Sequence, residues 1–427
     1  MERNDLRYQA MARMLEEQLK PAMGCTEPIA IAYAAALARD ALGAAPEKID
    51  VRVSGNIIKN AKSVMVPGTD GRKGIEAACA IGVTAGDAKR ELEVIAGATD
   101  EQRAEMEKLL ARGCITVALA EDARLFDIRV DLAGGGHTSR VRIADEHTNV
   151  VLIERDGVCR LEKALACGEA APAETQTYEP SIAEIFEFAS TCDIADVRAP
   201  LERQIRCNMA IAEAGISGEW GAGVGRVLLD TAREDDIGRR ACAYAAAGSD
   251  ARMGGCELPV VINSGSGNQG ITASVPIVCY AREKGVGEEQ LYRALVLSNL
   301  VAVHQKAEIG CLSAYCGAIS AGCAAGAGVA YLLGGDLRLI NHTIVNSLAI
   351  LSGTICDGAK ASCAAKIASA ISAGLLGYQM ALQNRQFRGG DGIVKKGVEN
   401  TIHNVGRLAK DGMTVTDREI LKIMTEC

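Results

Sequence analysis

Two hydrophobic rhythms alternate along the chain. Residues 5–20 carry Leu6, Met14, Leu15 and Leu19 at helical spacing, and the Pro21–Gly24 segment breaks that helix. A second helix is predicted at once, with Thr26 as its cap, Pro28 in its first turn and an Ala-rich run to Leu42. From Lys48 the period changes to two, in Ile49-Asp50-Val51-Arg52-Val53, and further strands are predicted at 115–119, 126–132, 138–144 and 148–154. Gly134-Gly135-Gly136 and Asp145-Glu146 supply turns, and helices at about 72–86 and near 100–112 interrupt the strands. Beyond 180 the helical period returns, broken by Gly-rich corners at 215–225, 248–255, 264–270, 333–336 and 388–392. The pattern predicts an α+β fold in which a large, mainly helical bundle domain holds an inserted smaller α+β domain. Residues 1–45 are expected to be N-terminal helices packing on the bundle, 46–167 the α+β domain, 168–180 (with Pro172 and Pro180) a linker, and 181–427 the helical domain carrying the chemistry. The helix of 26–42 is too apolar to stand alone and is expected to pack on the bundle.

Composition refines this picture. A chain of 427 residues with 48% hydrophobic content can bury two cores, while 3% aromatic content beside 46 glycines favours helices touching through small side chains. The formal charge of −8, without a basic run, argues against nucleic acid or an acidic membrane and leaves a small molecule as the expected partner. Charged residues interrupt Met1 to Leu19, unlike the apolar core of a signal peptide, so a cytoplasmic protein is expected. Ile309 to Gly335 carries no charge and is long enough to span a bilayer. Half of it is Gly or Ala, with Ser313, Tyr315 and Ser320 adding polarity, so a buried helical hairpin is expected instead.

Sixteen cysteines in a chain this long do not form the disulfide scaffold of a small secreted domain. There is no Cys-x-x-Cys, so any ligand set must come from distant segments. Three cysteines stand beside a glycine or a helix start: Cys25 in Gly-Cys-Thr-Glu-Pro, Cys316 in Ser-Ala-Tyr-Cys-Gly-Ala, and Cys356 in Thr-Ile-Cys-Asp-Gly-Ala-Lys. There the backbone can approach a bulky group and free N–H groups can stabilise sulfur charge. A faint echo relates Cys316 and Cys323 to Cys356 and Cys363. Cysteines seven apart on one helix would stand roughly 10.5 Å apart, too far for both to serve one cluster. Gly265-x-Gly267-x-x-Gly270, after the short strand Leu258–Asn263, offers converging N–H groups for an anion, with Ser264, Ser266, Asn268 and Gln269 beside it. A dinucleotide is a poor fit, because more helix follows where a second strand is required. Asn56, Lys59 and Asn60, leaving strand 49–54, could hold a substrate's carboxylate and amino group. His304 is the best candidate base near neutral pH, with Lys59 and Lys306 as rivals.

Taken together, Gly24–Pro28, Ser54–Asn60, Asn263–Gly270, Leu312–Gly317 and Ile355–Lys360 resemble the cysteine desulfidase family, distant relatives of the α-chain of iron–sulfur L-serine dehydratases, along essentially the whole chain. The resemblance implies a [4Fe–4S] cluster held by Cys25, Cys316 and Cys356, with one iron open as a Lewis acid. It further implies that L-cysteine is converted to pyruvate, ammonia and hydrogen sulfide, with Thr26 and Glu27 among the substrate-binding residues. L-serine dehydration, a non-catalytic iron–sulfur sensor and a structural zinc protein are the alternatives. In the related dehydratases a terminal cysteine enters the site, which makes Cys427 a candidate reversible fourth ligand. A homo-oligomer is left open.

Overall fold

The computed structural model describes residues 1–120, 124–165, 178–310 and 312–426. The chain opens with α1 (Leu6–Gln18), capped by Asp5, whose side chain accepts from the Arg7 N–H. Its buried stripe is Tyr8, Met11 and Leu15, followed by Leu19, whereas Leu6 is exposed. Next come β1 (Pro21–Met23) and α2 (Thr26–Leu42). The α+β unit follows with β2 (Lys48–Val53), α3 (Gly55–Ala61), α4 (Gly74–Ala85), α5 (Asp100–Ala111), β3 (Ile115–Leu119), β4 (Asp127–Gly134), β5 (His137–Ala144), β6 (Val150–Arg155) and β7 (Val158–Glu162).

Six strands form one mixed sheet in the order β3-β2-β4-β5-β6-β7. Only the β2–β3 pair is parallel. Val51 lies opposite Val130, and Val130 opposite Val141, all fully buried, so the two-residue period sends one face to the core. That face is covered by α2, which corrects the expected placement of this helix on the bundle. The physical reason lies in its composition: α2 is a middle layer, with the sheet on one side and α4 on the other, and so is apolar all round. The sequence pattern missed β7, an exposed edge strand, and gave no helix at Gly55–Ala61.

The bundle comprises α6 (Ile182–Thr191), α7 (Ile194–Ser217), α8 (Val224–Asp230), α9 (Ile237–Met253), β8 (Pro259–Val261), α10 (Gly267–Lys284), α11 (Glu288–Ile309), α12 (Gly317–Leu332), α13 (Leu337–Ile350), α14 (Cys363–Leu382), α15 (Val398–Arg407) and α16 (Thr414–Thr425). Ser181 and Glu184 start α6 with a reciprocal capping box. At the centre, α12 is buried from Ala318 to Leu332 among α10, α11, α13 and α14. A Cβ on Gly326 would lie 2.5 Å from the carbonyl oxygen of Gly374 in α14, so the two backbones nearly touch. This contact is the structural counterpart of a chain poor in aromatics. In the uncharged stretch from Ile309, α11 ends at Ile309, residues 312–316 are irregular and one buried helix follows, so the described residues form no hairpin there. Among the described residues no helix is long and apolar enough to cross a membrane.

The two units are tied together at the start of the chain. α1 packs on α6, α7 and α11 of the bundle, and β1 pairs antiparallel with β8. The chain then crosses into the α+β unit at α2 and returns at α6. Most of the expected linker, residues 168–177, lies outside the described residues.

Candidate functional site

Two loops carry Cys316 and Cys356, and the backbone zips them side by side. Tyr315 and Ile355 form an isolated antiparallel bridge. The Cys316 N–H donates to the Thr354 carbonyl at 3.1 Å and the Cys356 N–H to the Ala314 carbonyl at 2.5 Å. The thiols are hydrogen-bonded neighbours, and the bond from Cys316, with Lys59 and Lys306 close by, draws the Cys356 thiol downward despite its burial. Its partner Cys316 is pushed up in return. The third cysteine, Cys25, arrives from the α+β side as the N-cap residue of α2. Thr26, expected to be that cap, is the first residue of the helix. Cys25 packs with Val64 and Met253 against Ala359 and Cys363. Burial, and then the Glu27 carboxylate 3.1 Å from its sulfur, push this thiol well up.

Gly358 explains how α3 reaches the Cys356 loop. Its φ is +91°, and a Cβ there would lie 2.2 Å from the Lys59 carbonyl oxygen. Asp357 next to it anchors the loop by accepting from Lys360 at 2.5 Å and from Lys366. Burial would raise this carboxyl, but the two ammonium groups outweigh it and hold it at about 2.

These segments enclose a cavity of about 120 Å³, far more than the roughly 10–15 Å³ needed for one water. Cys25, Cys316 and Cys356 line it, and Thr26, Glu27, Lys59 and Asn60 come from the α+β side. Ser264, Ser266, Asn268 and Gln269 complete the expected set from the turn before α10. Two expected residues are absent from this wall. Asn56 is buried in α3 without reaching the cavity. His304 bonds Glu399 of α15 at 2.7 Å. Its neighbour Lys306 does reach the cavity, and two residues along a helix is a rotation of about 200°, so the two side chains leave α11 on opposite faces. Cys427 lies outside the described residues.

Sequence reasoning missed His147, Arg252 and Cys363, which also line the cavity. His147 follows the Asp145-Glu146 turn, where a histidine reads as solvated, yet only 16% of its side chain is exposed. Burial lowers its pKa and keeps the imidazole neutral, against the opposing pull of Glu27, whose Oε1 is 4.0 Å from Nε2. Burial would raise Glu27 in turn, but His147 and the Cys25 thiol hold it below the usual carboxylate range. Asn60 donates to Glu27 at 3.1 Å, as does the Thr26 hydroxyl. Cys363 starts α14 and donates to the Gly358 carbonyl at 3.7 Å. The expected equivalence of Cys323 and Cys363 therefore fails. Cys323 is sealed inside α12 against the Ile344 carbonyl, whereas Cys363 faces the cavity.

Among the described residues no three His, Cys, Asp or Glu side chains are close enough to hold a single metal ion. The donors suit a larger guest. Four thiols share one wall with Lys59, Lys306 and Lys366, cations that would balance a thiolate-held anionic group. Several buried polar atoms of the same lining have no hydrogen-bond partner, among them His147 Nε2, Asn268 Oδ1, Gln269 Oε1 and the Tyr315 hydroxyl.

A family model described as serine dehydratase alpha chain matches residues 89–422. A UPF0597 protein of Desulfitobacterium hafniense is 54% identical over 427 residues, covering 99% of this chain and 98% of that one. UPF0597 proteins of Lachnoclostridium phytofermentans and Finegoldia magna are each 49% identical, covering 98% and 97% of this chain and 99% and 98% of their own.

Proposed function

Since this chain belongs to the serine dehydratase alpha-chain family, we propose that it is a β-eliminating lyase that converts L-cysteine to pyruvate, ammonia and hydrogen sulfide. The observation that carries the reading is the convergence, in one cavity, of the Cys25, Cys316 and Cys356 thiols with the largely buried pair Glu27 and His147. Members of the family are typically iron–sulfur dependent, and the lining fits such a group in its thiols and its surrounding cations. Cys25, Cys316 and Cys356 would hold it, with Cys363 a fourth thiol of the same wall. A bound [4Fe–4S] cluster would supply a Lewis-acidic iron that weakens the bond to the β-substituent.

The remaining work falls to the chain's own groups. The neutral imidazole of His147 accepts the α-proton at Nε2, and the imidazolium so formed faces the ionised Glu27. Lys59, held at 2.5 Å by Asp417 of α16, keeps a positive charge beside Cys356. With the α-proton and hydrosulfide gone, the aminoacrylate released takes up water to give pyruvate and ammonia. L-serine, losing hydroxide in place of hydrosulfide, is the second reading, favoured by the description of the matching family.

Anaerobic reconstitution with iron and sulfide, followed by parallel sulfide and pyruvate assays on L-cysteine and L-serine, tests both. Sulfide and pyruvate in equal amounts from L-cysteine are expected. Pyruvate from L-serine alone moves the assignment to dehydration, and a fully loaded protein inert towards both overturns the lyase reading in favour of a sensor.

A further inference from the structure

Among the described residues one charged group of the cavity has no hydrogen bond or close ion pair, and only the longer-range field of the Glu27 carboxylate reaches it. Arg252, in the last turn of α9, is 2% exposed, and its guanidinium makes no hydrogen bond or ion pair with any described residue. Its Nε is fully buried and unpaired. A guanidinium is always charged and carries five donors in a fixed fork, so burying it unmatched is costly unless something else completes it. The surroundings sharpen the point. The side chain lies over the first residue of α10, where a Cβ on Gly267 would meet Arg252 Nε at 2.4 Å and Cζ at 2.8 Å. The helix start is itself positive, and among the described residues the N–H groups of Gly267 and Asn268 have no acceptor. Two unsatisfied positive features are thus pressed together, and both line the cavity or its rim. A bound anion would satisfy both at once, and a flat one with two oxygens matches the fork.

Acceptors lie on the same lining. The Glu27 carboxyl lines the cavity, and Asn268 Oδ1 and Gln269 Oε1 have no donor among the described residues. Such a set, donors gathered at Arg252 and acceptors at Glu27 and the two amides, is complementary to a zwitterion.

We propose that Arg252, with the N-terminus of α10, is the receptor for the substrate's α-carboxylate, and that it restricts this site to free α-amino acids over the corresponding amines. The inference rests on the lyase reading of the cavity but is tested by binding. The iron-loaded protein would be titrated calorimetrically with L-serine, L-cysteine, ethanolamine and cysteamine, the last two lacking only the carboxylate. The wild-type chain is expected to bind the amino acids about 100-fold more tightly than the amines. R252Q is expected to lose that preference while keeping its iron and sulfide content. R252K keeps the charge without the fork and is expected to fall between, so it decides the matter if R252Q does not fold. Undiminished discrimination in R252Q, or in R252K if R252Q does not fold, or loss of iron from R252K, would overturn the proposal. A wild-type protein that binds amino acids selectively but turns over neither sinks the lyase reading and leaves the carboxylate receptor standing.

Discussion

At the scale of single residues, the cysteines separate into two kinds. Replacing Cys25, Cys316 or Cys356 by Ala should each remove the visible absorption of the reconstituted protein and its turnover. Cys323→Ala, which deletes one buried atom that is not part of the cavity wall, should keep both and cost about 1 kcal/mol in a denaturant melt. The histidines separate likewise. His147→Gln should keep the chromophore and lose about 10²–10⁴ in kcat, whereas His304→Gln should leave kcat unchanged, since its ring faces Glu399. Equal losses in the two variants would remove His147 from the proton-accepting role. The three singled-out cysteines were legible because each sits beside a glycine or a helix start, a local feature. His147 and Arg252 were not, because what distinguishes them is burial by segments far away in the chain. A histidine after an acidic turn and an arginine near a helix end look solvated in sequence.

At the scale of elements, the sheet carries a pH-dependent clamp. Asp127 opens β4 fully buried and accepts two hydrogen bonds each from Arg142, at 2.7 and 3.0 Å, and Arg129, at 2.9 and 3.3 Å. Burial alone would raise its carboxyl, but Arg142 and Arg129 outweigh this and hold it below the ordinary value of 3.8. A carboxyl with a depressed folded pKa stabilises the fold above its unfolded pKa and loses that contribution as pH falls through the folded value. Asp127→Asn should therefore cost about 3 kcal/mol at pH 7, where it strands two arginines. The deficit relative to wild type should shrink below about pH 4 in urea melts. A deficit independent of pH would show that the carboxylate charge is not the cause. Strands β2 to β6 were legible from their two-residue period. The edge strand β7 was not, since neither of its faces is buried, and α3 was not, since seven residues are too few for a helical period to emerge.

At the scale of the whole molecule, the α+β character and the large helical domain were legible from the switch of period near residue 180. The allegiance of α2 was not, because an all-apolar helix states that it is buried without stating against what. The cavity wall draws on Cys25, Lys59, His147, Arg252, Cys316 and Cys356, from both units and nearly the full length of the chain. That spread sets an order of manufacture. A ribosome delivers the N-terminal parts first, at roughly 5–20 residues per second, so Cys25 waits for most of the synthesis time before Cys356 exists to stand near it. Until then there is no enclosed receptacle, only single thiols open to oxidant and stray metal. Loading of the proposed iron–sulfur group is therefore expected to follow translation, onto a finished protein. Nascent chains arrested at residue 300 and isolated without air should carry no iron, while the released full-length chain accepts it.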